Sequence, residues 1–167
     1  MLPGSERLLL GPGPSLMAPR VMRALAAPML SHLDPEFVGI LDDTRERLAR
    51  VFKAEPGSFT CAISGTGTSG METAVANLVE PGTRVVCVVT GYFGDRLAQM
   101  CERYGASVTR VDTEWGRACD PAEIEQAIAR TTPQIVTVVH AETSTGVLNP
   151  VRAVADVARA KDALLIV

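Results

Sequence analysis

The chain has 167 residues, of which 47% are hydrophobic and 21% are charged, and its formal net charge is −3. This composition is typical of a globular protein with its own core, and the lack of a basic block argues against nucleic-acid or anionic-membrane binding. Every apolar run is shorter than the roughly 20 residues of a membrane-spanning helix. Residues 8–10 are also too short a run for a secretory signal, so we expect a cytoplasmic protein.

The cysteines and histidines form no pattern that is typical of a metal site. The four cysteines are Cys61, Cys87, Cys101 and Cys119, and no two of them form a C-x-x-C pair. With only two histidines, His32 and His140, we expect no zinc site. Cys61 and Cys87 lie in apolar runs that indicate strands, so we expect buried, reduced thiols.

The first part of the chain predicts an irregular arm followed by one long helix. Residues 1–33 are rich in proline and glycine and form the predicted arm. Asp34 and Pro35 are suited to the N-cap and first position of a helix that runs to about Lys53. Residues 59–64 then predict a short strand, before a glycine-rich turn and a helix that begins near Met71.

From residue 84 onward, strands and helices alternate. Residues 84–90, 107–111, 134–140 and 163–167 predict strands, and 84–90 is apolar on both faces, as in a buried parallel strand. Helices fill the gaps between them, opened in turn by Phe93, Asp120 and Pro150. This alternation predicts an α/β unit over residues 34–167, with a mostly parallel sheet and helices on both faces. The apolar last strand, with no turn after it, is what we expect of a chain that is cut there.

The strongest local signal is the segment Ser-Gly-Thr-Gly-Thr-Ser-Gly at residues 64–70, between a predicted strand and a predicted helix. Glycines let the backbone approach an anion, hydroxyls add donors, and the N-terminus of the following helix favours a phosphate. The alternative is a tight turn in which the hydroxyls only cap the helix.

Two nucleotide-binding motifs fit this segment less well. Residues 65–70 match the glycine pattern of dinucleotide-binding folds, but the expected acid about 20 residues later is replaced by Thr90, and the next acid, Asp95, falls in a helix. A triphosphate-binding loop needs a lysine, and none lies between Lys53 and Lys161. The pattern therefore favours a small monophosphate, with a nicotinamide-binding module as an alternative.

Two further loops are predicted at the same edge of the sheet. Residues 91–94, Gly-Tyr-Phe-Gly, follow the strand at 84–90, and an aromatic ring there could stack on a planar heterocycle. The alternative is that Phe93 only begins the apolar stripe of a helix. Residues 140–146 are rich in hydroxyls that could reach a substituent on such a ring, or could form a capped turn.

The segments 8–15, 63–72, 91–94 and 140–146, in this order, resemble the class V aminotransferases, and within them the alanine–glyoxylate and serine–glyoxylate branch. The resemblance runs from about residue 8 to residue 167. It implies the large domain of a pyridoxal 5′-phosphate (PLP)-dependent transferase of the aspartate aminotransferase-like fold, in incomplete form. It also implies transfer of an amino group from alanine or serine to a 2-oxoacid such as glyoxylate, usually in a homodimer.

The resemblance assigns roles to six residues. Those that would line the phosphate of PLP are Thr66, Gly67 and Thr68. Phe93 would stack on the pyridine ring and Thr143 would lie near its phenolic oxygen. The Gly-Pro-Gly-Pro loop at residues 11–14 would approach the substrate, with Gly13 making a backbone contact.

The same resemblance implies that the catalytic groups are absent. In relatives an aspartate that pairs with the pyridine nitrogen directly follows the strand equivalent to 163–167, and the Schiff-base lysine and a substrate-binding arginine lie further along. Lys53 and Lys161 are both predicted at helix C-termini, on the opposite edge of the sheet. The chain is therefore expected to be inactive alone. The alternatives are a PLP lyase such as a cysteine desulfurase, in which a histidine would replace Phe93, and a catalytically dead fragment.

Overall fold

A computed structural model describes residues 8–167, which form two compact units divided after Ala62. The predicted division into an arm, 1–33, and an α/β region, 34–167, stays a prediction, and the arm begins in residues that lie outside the described range. Among residues 8–167, no helix has both the length and the apolar character needed to cross a membrane.

The unit that ends at Ala62 contains helices α1 (Pro19–Leu25) and α2 (Pro35–Phe52). The Asp34 carboxylate accepts a hydrogen bond from the Glu36 N–H at 2.8 Å and caps α2, which confirms the predicted start of this helix. The helix ends where Lys53 adopts a left-handed conformation with φ 50°. No residue of either helix is buried.

The predicted strand at residues 59–64 is wrong, because the structure shows no strand there. A strand needs a partner to bond its backbone groups, and no described strand pairs with this segment. Instead, the Thr60 carbonyl accepts from Arg45 Nε at 3.1 Å, and the Thr60 hydroxyl donates to the Arg45 carbonyl at 2.8 Å. As a result Cys61 is exposed, which contradicts the expectation of a buried thiol.

The unit Ile63–Val167 contains the alternating strands and helices. They are α3 (Gly67–Leu78), β1 (Arg84–Val89), α4 (Tyr92–Arg103), β2 (Ser107–Asp112), α5 (Pro121–Thr131), β3 (Ile135–Thr137), β4 (Ala141–Glu142), β5 (Val147–Leu148), α6 (Val151–Arg159) and β6 (Leu164–Ile166).

Four of these strands form one parallel sheet in the order β2-β1-β3-β6. Val86 of β1 is aligned with Thr109 of β2 on one side and with Val136 of β3 on the other, and Val136 is aligned with Leu165 of β6. Strand β1 is buried from Val85 to Val89, as its apolar sequence predicts.

Helices cover both faces of the sheet, which confirms the predicted fold class. The chain moves from β1 to β2 in one direction and then returns past β1 to β3 and on to β6. Because right-handed crossovers put connections of opposite direction on opposite faces, α4 lies on one face and α5 and α6 lie on the other. Cys87 and Val89 accordingly pack with Leu97 of α4, whereas Val86 packs with Ile124 of α5.

The segment after β3 differs from its prediction. The predicted strand 134–140 shortens to three residues, and the predicted loop 140–146 contains β4 and the turn of the antiparallel hairpin β4–β5. The reason lies in the hydrogen bonding of the backbone. The carbonyls of Val139 and His140 accept from the side chain and the backbone N–H of Asn149, both at 2.8 Å, and not from a neighbouring strand.

Candidate functional site

A cavity of about 540 Å³ opens at the carboxyl edge of the parallel sheet. The strand order reverses between β1 and β3, and ligands of open α/β sheets bind in the crevice beyond the strands at such a point. The residues that line the cavity are Thr66, Gly67, Thr68, Met71, Phe93, Leu97, Val139, His140, Ala141, Thr143 and Val167.

The structure brings together five of the six residues singled out from the sequence. Thr66, Gly67 and Thr68 begin α3, Phe93 is the second residue of α4, and Thr143 lies in the β4–β5 hairpin, so three separate loops meet at one cavity. Their individual roles stay predictions. Gly13 lies in the other unit and is exposed, and its substrate contact also stays a prediction.

The N-terminus of α3 leaves backbone donors free at this cavity. Within residues 8–167, no acceptor is bonded to the N–H groups of Gly67 and Thr68. Thr66 is the N-cap, and its own N–H donates to Ser69 Oγ at 3.3 Å. The first turn contains no acidic residue. Free N–H groups, threonine hydroxyls and the positive end of the helix dipole together make an anion site.

Gly65 shapes the turn that leads into α3. Its φ is +148°, which L side chains rarely adopt, and a Cβ there would lie 2.6 Å from Ser69 Oγ. Since Ser69 Oγ accepts the Thr66 N–H, a side chain at Gly65 would displace the group that orders the turn. The glycine is therefore required by both conformation and space.

Apart from the polar turn, much of the cavity lining is apolar. Phe93 is half-buried, and its ring meets the Tyr92 ring edge to face, with centroids 5.3 Å apart and planes at 86°. Met71, Leu97 and Val139 add further apolar surface. A cavity with an anion site on one side and an aromatic face on the other suits a flat, phosphorylated ring.

Glu142 is a buried carboxylate beside the cavity that the sequence did not single out. Its side chain is fully buried. Oε2 accepts from the Gly94 N–H at 3.1 Å, and Oε1 accepts from the Phe93 N–H at 3.4 Å and from the Ser144 hydroxyl at 2.5 Å. The hairpin is thus bonded to the first turn of α4.

Asn149, also missed from the sequence, joins the ends of two strands. Its Nδ2 donates to Thr90 Oγ1 and to the Val139 carbonyl, both at 2.8 Å, and its Oδ1 accepts the Cys119 N–H at 3.0 Å. Thr90, which stands where a dinucleotide fold has its ribose-binding acid, is therefore engaged within the protein. The sequence offered one signal, an amide residue directly before Pro150, and this pattern is too general to predict a role for Asn149.

No thiol lines the cavity. Cys87, Cys101 and Cys119 are buried in the two cores. Hydrogen bonding with Cys101, together with burial, raises the pKa of the Cys87 thiol well above its ordinary value. Burial likewise raises the pKa of Cys119. These three cysteines serve packing, as predicted.

The cavity wall formed by the described residues also contains no lysine or arginine. Lys161 lies between the end of α6 and the start of β6, at the amino edge of the sheet, whereas Val167, beyond the other end of β6, lines the cavity. Lys53 ends α2 in the other unit.

Comparison with known proteins agrees with this geometry. Residues 11–167 match the model of the family "Aminotransferase class-V". The chain is 38% identical over 161 residues to an (S)-ureidoglycine–glyoxylate transaminase from Bacillus subtilis, covering 96% of this chain and 38% of the relative. It is 37% identical to an alanine–glyoxylate aminotransferase from Drosophila melanogaster, covering 97% of this chain and 41% of the relative.

A solved structure of an aminotransferase is also similar to this chain. The crystal structure of an alanine–glyoxylate aminotransferase from Nostoc sp. superposes with a TM-score of 0.89 at 42% identity, covering 99% of this chain and 44% of that one. The chain thus spans about two fifths of the length of the relatives it matches. On the family match over nearly its whole length, this chain belongs to the class V aminotransferases.

Proposed function

We propose that this chain forms the cofactor cradle of a PLP-dependent aminotransferase that moves an amino group from alanine or serine to a 2-oxoacid such as glyoxylate. The observation that carries the proposal is the meeting of three loops, led by Thr66–Thr68, Phe93 and Thr143, at one cavity. The B. subtilis, D. melanogaster and Nostoc relatives, each named for a transfer that involves glyoxylate, support the choice of acceptor.

The residues present fit PLP. The free N–H groups of Gly67 and Thr68, with the hydroxyls of Thr66 and Thr68, would hold its phosphate without a metal or a lysine. The Phe93 ring would lie against the pyridine ring. The Thr143 hydroxyl would donate to the ring oxygen.

The chemistry then divides between the cofactor and the chain. PLP, when bound, supplies an electron sink for the bond that breaks at the substrate's α-carbon. The residues of this chain bind and orient: α3 fixes the phosphate end and Phe93 fixes the plane of the ring. The apolar wall of Met71, Leu97 and Val139 excludes water from one side of the cavity.

Pyridoxamine 5′-phosphate tests the cradle directly, because it has no aldehyde and cannot react with surface lysines. We expect saturable binding to the purified chain in equilibrium dialysis, competition by inorganic phosphate, and much weaker binding of pyridoxamine, which lacks the phosphate. Equal binding of pyridoxamine and its phosphate would contradict an anion site at α3. Tight binding of NADH with no effect of the phosphorylated pyridoxamine would favour the nicotinamide alternative.

The amino transfer is tested on the product of the complete coding sequence. We expect formation of pyruvate from alanine that depends on glyoxylate, measured by a coupled dehydrogenase. The codon after that for Val167 is expected to encode aspartate, with a lysine codon further on. Release of sulfide from cysteine, with no pyruvate formed, would instead support the lyase.

A further inference from the structure

The first turn of α4 is capped by a carboxylate from a distant loop, whereas the first turn of α3 opens into the cavity. Glu142, 48 residues from Gly94 along the chain, accepts the N–H groups of Phe93 and Gly94. No lysine or arginine of residues 8–167 forms a salt bridge with it. Its partners are instead N–H groups at the positive end of α4 and the Ser144 hydroxyl.

Glu142 and Ser144 together form what we call the Glu142–Ser144 clamp. Ser144 Oγ donates to Glu142 and accepts from the Tyr92 N–H at 2.9 Å. Thr143 lies between the two clamp residues in sequence, and Phe93 directly follows Tyr92. Both residues proposed to hold the cofactor's ring are therefore flanked by clamp bonds.

The clamp sits tightly against the loop before α4. A Cβ at Gly91 would lie 2.5 Å from Glu142 Cγ and 2.6 Å from Ser144 Oγ. The φ of Gly91 is 170°, which is ordinary extended backbone, so space alone requires the glycine. On the other side of the turn, a Cβ at Gly94 would lie 2.8 Å from the Val88 carbonyl oxygen. The hairpin and β1 thus approach the backbone of the first turn of α4 closely at these two glycines.

We propose that Glu142 is a positioning residue for the cofactor's ring, acting through Phe93 and Thr143 without touching the ring itself. The proposal rests on the proposed function, since a ring must bind at this cavity for the clamp to matter. A loosened clamp would let the Phe93 ring and the Thr143 hydroxyl move, but it would leave the N–H groups of α3 in place. Substitution of Glu142 should therefore weaken binding of the ring and leave binding of the phosphate unchanged.

The experiment compares Glu142→Gln and Ser144→Ala with a control, Asp120→Ala. Asp120 caps α5, which contributes no residue to the cavity, so the control also loses a carboxylate cap at a helix N-terminus. Pyridoxamine 5′-phosphate binding is measured by equilibrium dialysis, and inorganic phosphate binding from its competition. We expect roughly three- to tenfold weaker pyridoxamine 5′-phosphate binding for Glu142→Gln, in line with the loss of ring stacking. Inorganic phosphate binding should be unchanged.

Amide hydrogen exchange gives a readout that does not depend on the ligand. The amides of Phe93 and Gly94 should exchange faster in Glu142→Gln than in the parent chain, while those of α5 should not. Ser144→Ala should weaken pyridoxamine 5′-phosphate binding in the same direction but less, and Asp120→Ala should change neither binding constant.

Several results would overturn the proposal. The first is that Glu142→Gln binds pyridoxamine 5′-phosphate as tightly as the parent chain does. The second is that Glu142→Gln loses affinity equally for pyridoxamine 5′-phosphate and inorganic phosphate. The third is that Asp120→Ala loses as much affinity for pyridoxamine 5′-phosphate as Glu142→Gln does. If circular dichroism shows Glu142→Gln to be unfolded, the milder Ser144→Ala decides by the same criteria. A parent chain that does not bind pyridoxamine 5′-phosphate at all would refute the proposed function before any variant is compared.

Discussion

Gly65 and Gly70 flank the first turn of α3, and their surroundings differ. Gly65 has φ +148° and Ser69 Oγ within 2.6 Å of a built Cβ, whereas Gly70 has open space around it. Gly65→Ala should strain the turn by about 1–3 kcal/mol, displace Ser69 and weaken binding of pyridoxamine 5′-phosphate. Gly70→Ala should stabilise α3 by up to about 1 kcal/mol through helix propensity.

The pair provides its own control, because each change adds one methyl group, Gly65→Ala before the first turn of α3 and Gly70→Ala within the helix. Urea unfolding gives the stability difference, and dialysis gives the affinity. A Gly65→Ala chain that binds pyridoxamine 5′-phosphate as well as Gly70→Ala would contradict the role assigned to this turn.

Single residues could be predicted where the local sequence carries the chemistry. The glycines and hydroxyls at residues 64–70 indicate an anion site without reference to the rest of the chain. Glu142 and Asn149 could not be predicted in this way, because Gly94 lies 48 residues from Glu142 and Thr90 lies 59 residues from Asn149, and both contacts depend on strand order. An acid or an amide in a loop is most often solvated, so neither has a distinctive local pattern.

At the scale of secondary structure, Asn149 joins the carboxyl ends of β1 and β3. Asn149→Ala would leave the Cys119 N–H and the Val139 carbonyl without their side-chain partner in a buried setting. We expect a loss of about 2–4 kcal/mol in the free energy of unfolding, since two or more groups lose hydrogen bonds. Urea unfolding measures it, with Asn77→Ala on the exposed surface of α3 as the control. A loss in the free energy of unfolding no larger than that of Asn77→Ala would contradict the role of Asn149 in joining β1 and β3.

The helices and strands could be predicted where the residues of the element itself determine its structure. Residues 84–89 form β1 because the residues from Val85 onward are apolar on both faces, and Gly105 with φ +83° follows the end of α4. The strand expected at 59–64 fails because a strand needs a neighbour, which no local pattern shows. The shortening of the strand at 134–140 has the same kind of cause, since Asn149 replaces a strand as the bonding partner.

At the scale of the whole molecule, burial divides the four cysteines into one exposed and three buried thiols. In the native chain we expect a thiol reagent at neutral pH to label Cys61 alone. Cys87, Cys101 and Cys119 are buried and therefore inaccessible, and this burial alone protects Cys101, because its hydrogen bond with Cys87 lowers its pKa. The pKa values of Cys87 and Cys119 are raised, which also keeps these two thiols protonated. Mass spectrometry after labelling, with and without urea, makes the measurement. A Cys61→Ser chain should show no fast label, and fast labelling of a second cysteine would contradict the described core.

Exposed apolar side chains of the unit that ends at Ala62 are the observation behind our proposal that the complete protein is a homodimer. Met29 is 97% exposed, Leu33 78% and Phe52 74%. Large apolar side chains that are exposed in this way are often covered at a protein interface. Sedimentation velocity of the complete gene product should show a dimer, and Phe52→Glu should shift it toward monomer. A monomer at all concentrations would refute the proposed assembly.

Among residues 8–167, no lysine or arginine lines the cavity, and this has a consequence for how its ligand is captured. Phosphate sites built on cationic side chains attract their ligand over a distance and weaken as salt screens that attraction. Here the chain carries a net charge of −3, and in the proposed cradle short-range N–H donors would hold the anion. Added potassium chloride should therefore leave the rate of association with pyridoxamine 5′-phosphate unchanged or raise it slightly. Capture of the cofactor would then be insensitive to the ionic strength of its surroundings.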